Sequence, residues 1–107
     1  QWLALIDQFI QKYHLDVLHV HDLRLVSTGL QAAKKYELPV VADLHENFPA
    51  LMAMFKGRNN PRRGQLQRRK WDAIQKHCAE KANAIITVSQ EMANILKTQG
   101  ITPSKIT

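Results

Sequence analysis

The stretch Pro39-Val-Val-Ala-Asp-Leu-His-Glu-Asn-Phe-Pro49 decides how the rest of the chain is read. It opens apolar at Val40-Val41-Ala42 and turns polar at Asp43, His45, Glu46 and Asn47, then meets Pro49, which suits the first turn of a helix. A short, continuously apolar strand is the mark of a parallel sheet buried on both faces. Such sheets bind ligands beyond the carboxyl ends of their strands, where this stretch places its His-Glu pair.

Working outward, Trp2, Ile6, Phe9 and Tyr13, with Leu3 and Ile10, repeat at helical spacing. A strand is expected over Asp16–His21, then a helix with Asp22 at its N-cap and Val26, Leu30 and Ala33 as its apolar stripe. Glu37-Leu38-Pro39 ends that helix, because the residue before a proline avoids the helical region. After the strand at Val40–Leu44, Phe48, Leu51, Met52 and Phe55 predict a short helix. Lys56–Gly64, with two glycines and Asn59-Asn60-Pro61, predicts a loop. Gln65–Ala82 predicts a long helix with Trp71, Ile74, Cys78 and Ala82 on one face. Ala84–Val88 predicts a third strand, and Ser89 caps a helix that runs to Thr98 and stops at Gly100. The tail ends as if a further strand begins at Lys105-Ile106-Thr107.

This alternation argues for right-handed βαβ units: an α/β, Rossmann-like parallel sheet of three strands flanked by helices. At 107 residues and 45% hydrophobic content the chain fits one domain with a real core. A thin sheet with exposed edges and no initiator Met suggests a piece of a longer chain, prone to self-association through those edges. No signal peptide is read at Gln1-Trp2-Leu3-Ala4, and no apolar run reaches the ~18 residues of a membrane-spanning helix. The single cysteine, Cys78, excludes an internal disulfide and fits a reducing compartment.

The net charge of +6 is concentrated. Lys56–Lys81 holds nine Lys/Arg against Asp72 and Glu80, a local +7, while the remaining six cations and seven acids leave −1. The patch centres on Arg58, Arg62, Arg63, Arg68, Arg69 and Lys70. One reading is a solvated helix face with Asp72-Lys76 and Lys76-Glu80 pairs. Another is attraction to anionic lipid headgroups. Nucleic acid is the weakest of the three, since no aromatic interleaving or known module accompanies the charge.

His21 and Asp22 end one strand, His45 and Glu46 follow the next, and Ser89 follows the third. The three strand ends therefore present polar groups at one edge of the sheet. Each residue also has a plainer reading: His19 as a satisfied core histidine, Asp22 and Ser89 as helix caps, Asp43 as a carboxylate with a structural partner. A zinc site from His19, His21 and His45 meets a geometric obstacle, because His19 lies roughly 6–7 Å back along its strand. No metal site is expected. Ser89 lacks the G-x-S-x-G elbow of a nucleophile, Cys78 lies on an apolar stripe, and neither a dinucleotide fingerprint nor a Walker loop occurs.

Three motifs, DVLHVHD (Asp16–Asp22), PVVADLHENFP (Pro39–Pro49) and ANAIITVSQ (Ala82–Gln90), resemble in order and spacing the N-terminal domain of a retaining GT-B glycosyltransferase of the family 4 type. The closing GITPSKIT is similar to the stretch that leads toward that family's inter-domain crossing. The resemblance implies half of a GT-B N-terminal, acceptor-side domain over residues 1–107, with the C-terminal nucleotide-sugar domain absent and the piece inactive alone. It implies a nucleotide-sugar donor as substrate, no required cofactor, and a cell-envelope or lipid-linked acceptor. The parent would be a cytoplasmic hexosyltransferase, peripheral on the inner face of the plasma membrane. His45 matches the family's sugar-positioning histidine. His21, Asp22, Glu46 and Ser89 match the cleft wall that contacts substrate. The family's first strand and glycine-rich loop have no counterpart here. The competing readings are an α/β regulatory module of the receiver type, for which Asp22 and Asp43 make a poor acidic cluster, and a basic membrane-surface domain.

Overall fold

The computed structural model describes residues 1–107. Its elements run α1 (Trp2–Tyr13), β1 (Leu18–His21), α2 (Leu23–Tyr36), β2 (Val40–Leu44), α3 (Phe48–Gly57), α4 (Pro61–Lys81), β3 (Ala84–Thr87) and α5 (Gln90–Thr98), followed by a 3-10 turn at Pro103–Lys105. The three strands pair in parallel in the order β1-β2-β3, which gives the expected α/β, Rossmann-like sheet flanked by helices. The expected continuation also forms. Ile106 bridges Ile85 in parallel, and the Thr107 amide donates to the Ile85 carbonyl at 2.8 Å.

Because each connection steps to the next strand in the same direction, right-handed crossovers place their helices on one face of the sheet. Ala42, Leu44 and Ile85 turn to that face and pack with Val26, Cys78, Ala79, Met92 and Leu96. A smaller core joins Ile10 of α1 to Leu18, Ala32, Ala33 and Val40. The opposite face carries His19, His21, Val41, Asp43, Ala84 and Ile86, all exposed or half-buried. Burial on both faces, expected from the apolar run at Val40, therefore holds for one face only. The run is apolar because one face needs it and the other tolerates it.

The loop predicted over Lys56–Gly64 is also corrected. α3 extends to Gly57, and α4 already begins at Pro61, with the Asn60 side chain accepting from the Arg63 amide at 3.2 Å. The two glycines serve a close helix crossing. A Cβ on Gly64 would stand 2.7 Å from the Ala53 carbonyl oxygen and 2.8 Å from the Gly57 Cα. Asn47 caps α3 by accepting from the Ala50 amide at 3.2 Å, ahead of Pro49 in the first turn. Lys105 closes the other end of α4, its Nζ donating to the Ala79 and Glu80 carbonyls at 3.0 and 2.8 Å.

Candidate functional site at the carboxyl ends of the strands

All three strands point their carboxyl ends the same way, so the residues that follow them gather at one edge. The register sets His21 beside Asp43, an alignment that spacing along the chain does not reveal. Asp43 becomes the centre of the group. Its side chain is only 16% exposed, and three imidazoles approach it. His19 Nε2 and His21 Nδ1 lie 3.3 and 3.2 Å from Oδ2, and His45 Nδ1 lies 3.7 Å from Oδ1. The His19 and His21 rings stack with centroids 4.6 Å apart, and the His45 ring stands 6.1 Å from that of His21.

The other nitrogen of His45, Nε2, lies 2.9 Å from an Asp22 carboxylate oxygen. Asp22 occupies the N-cap position of α2, but its side chain does not cap the helix. Its carbonyl instead accepts from the Leu25 and Val26 amides, and its own amide donates to the Asp43 carbonyl at 3.2 Å. The residue holds φ at 69°, a conformation that a non-glycine residue adopts at a cost of about 1–3 kcal/mol. The simple capping reading of Asp22 is therefore overturned. The carboxylate is turned away from the helix and toward His45, whose ring is left between two carboxylates.

The remaining expected site residues do not join this group. Glu46 is half-buried and forms no ion pair. Ser89 follows β3 at the same edge, but its Oγ accepts from the Met92 amide at 3.2 Å, which is the work of an N-cap. It lines a shallow hollow with Thr87, Gln90, Lys97 and Thr107. Cys78 is fully enclosed, and burial pushes its thiol up to about 11, so it has no nucleophile's character. Asp43 is the residue that sequence reasoning underweighted. The available signal was the pair of alternations His19-x-His21 and Asp43-x-His45, which put like side chains on like faces of neighbouring strands.

A second surface stands apart from this edge. Arg58, Arg62, Arg63, Arg68, Arg69 and Lys70 are all exposed on the α3–α4 hairpin. Of the six, only Arg68 meets an acid, Asp72 at 3.6 Å. The expected Asp72-Lys76 and Lys76-Glu80 pairs do not form. Met54, Phe55 and Leu66 project from the same hairpin, each more than half exposed. No helix is long and apolar enough to cross a membrane.

Chemically, the strand-end group offers carboxylate acceptors and oriented imidazoles, the pairing that suits recognition and deprotonation of hydroxyl groups. No curated protein matches the chain. The family model for Glycosyltransferase Family 4 matches residues 1–107, and the chain belongs to that family.

Proposed function

We propose that this domain forms the acceptor-side wall of a GT-B glycosyltransferase cleft, facing a second Rossmann-like domain that holds a nucleotide-sugar donor. The observation that carries the reading is the clamped His45, set between Asp22 and Asp43 at the carboxyl edge of the sheet in a family 4 chain. In this reading His45 positions the transferred hexose, and His21, Asp22 and Glu46 contact sugar hydroxyls. Ser89 contributes through the wall it caps. Transfer with retention builds oxocarbenium character at the sugar and negative charge on the departing diphosphate. The domain supplies orientation, while cations on the opposite wall take up the leaving-group charge. The transfer step then needs no cofactor from this domain.

The test is sugar transfer from a panel of nucleotide sugars by the protein that carries both domains. His45→Ala is expected to lower turnover about tenfold or more, as loss of positioning does, with the far-UV circular dichroism unchanged. Turnover near the wild-type value would remove His45 from the mechanism.

The hairpin supports a second role for the same protein. Unpaired Arg and Lys beside exposed Met54, Phe55 and Leu66 form the combination that settles at an anionic bilayer surface. A lipid-linked or cell-envelope acceptor and a place at the inner face of the plasma membrane follow from this reading. Co-sedimentation with vesicles of phosphatidylglycerol and phosphatidylcholine is expected, and loss of it in an Arg62→Glu, Arg63→Glu variant. Failure to sediment at low salt would return the patch to ordinary solvated surface.

A further inference from the structure

The uncovered face of the sheet holds a side-chain group that sugar positioning uses only in part, leaving His19 and the His19–His21–Asp43 contact without a task. His19 and His21 alternate along β1, so both rings stand on this face, and Asp43 stands beside His21 on β2. His19 Nε2 and His21 Nδ1 approach the same oxygen, Asp43 Oδ2, at 3.3 and 3.2 Å. One ligand atom from each residue lies within 4.8 Å of the others.

These separations have a chemical meaning. In a tetrahedral site with bonds of about 2.0–2.1 Å, neighbouring donor atoms stand about 3.3 Å apart. The two nitrogen–oxygen separations already match that spacing. The gap between the two nitrogens, no more than 4.8 Å, is closed by a modest turn of imidazoles whose side chains are 46% and 60% exposed. Asp43 is the fixed member, since it is mostly enclosed. A zinc set of His19, His21 and His45 meets an obstacle in the distance between His19 and the strand end. The register supplies Asp43 instead, and the obstacle disappears.

We propose that His19, His21 and Asp43 form a binding site for one divalent first-row transition ion, with zinc the ion best suited to two imidazoles and a carboxylate. The fourth position opens onto the uncovered face and takes water. Asp43 Oδ1, the oxygen not used, lies on the His45 side of the carboxylate. An ion on Oδ2 therefore neutralises one of the two carboxylates that hold His45, which couples metal occupancy to the positioning group. The binding itself rests on local geometry alone and stands apart from the glycosyltransferase reading.

Cobalt(II) titration of the 107-residue chain tests the site, because bound cobalt of low coordination number absorbs visibly where the aqueous ion barely does. Saturation at one ion per chain is expected, with displacement by zinc. His19→Ala and His21→Ala are each expected to weaken binding about tenfold or more. His77→Ala, at an exposed histidine on α4, is expected to leave it unchanged. Circular dichroism checks that each variant is folded. Absence of saturable binding, or binding that survives the combined His19→Ala, His21→Ala variant, would overturn the proposal and leave the contacts as plain imidazole–carboxylate hydrogen bonds.

Discussion

His45 Nε2 lies 2.9 Å from the carboxylate of Asp22, a residue whose backbone is held at φ 69°. The strand end thus accepts an unfavourable backbone to aim a carboxylate at a histidine rather than at its own helix. Strained residues of this kind concentrate where geometry matters to function.

The strain makes a prediction about stability. Asp22→Gly and Asp22→Ala remove the same carboxylate, but only glycine adopts a positive φ without steric cost. The Gly variant is expected to be about 1–2 kcal/mol more stable than the Ala variant in urea denaturation. Equal stabilities would show that the backbone at Asp22 is unstrained.

Gly64 offers the opposite case. Helix propensity alone predicts that Gly64→Ala stabilises α4 by about 1 kcal/mol. The Cβ would instead meet backbone atoms at 2.7 and 2.8 Å, which cannot swing aside, so α3 and α4 must part. A loss of about 1–3 kcal/mol is expected in urea denaturation. A stabilised variant would mean that the two helices do not cross this closely.

A pH dependence follows from the join between α1 and α2. The Tyr36 hydroxyl donates to Asp7 Oδ1 at 2.6 Å, and Lys35 Nζ donates to the two Asp7 oxygens at 3.0 and 3.2 Å. These contacts, Tyr36 foremost, hold the Asp7 carboxyl below its ordinary value of 3.8. A carboxylate depressed in the folded state stabilises above its ordinary value and loses that contribution as pH falls through the lowered one. Lys35 is raised above 10.5, chiefly by Asp7, so its share persists below that value and is lost as pH rises through the raised one. Asp7→Asn is expected to lower the melting temperature at neutral pH and to flatten the decline below about pH 4 relative to wild type. Parallel curves for the two proteins would contradict the assignment.

Much of this architecture was legible in the sequence because local signals and tertiary needs agreed. Pro49 begins a helix, Gly100 ends one at φ 89°, and the tail does start a third pairing at Ile106. Gly57 and Gly64 misled because absence of a side chain serves turns and close helix contacts alike, and only the tertiary crossing tells them apart. Asp22 misled because a cap and a turned-away carboxylate occupy the same position in the chain. The site was half legible. Its residues sat visibly at strand ends, but the pairing of His21 with Asp43 is a property of register, which composition and spacing leave open.

In the proposed cleft, Asp22 holds His45 in place to position a sugar. A double-mutant cycle in sugar-transfer turnover, with His45→Ala, Asp22→Asn and the combination in the protein carrying both domains, tests it most directly. Asp22 acting in part through His45 predicts that the two losses do not multiply, so the double variant is faster than the product of the single losses would make it. Independent, multiplying losses, or a His45→Ala variant at wild-type turnover, would contradict it.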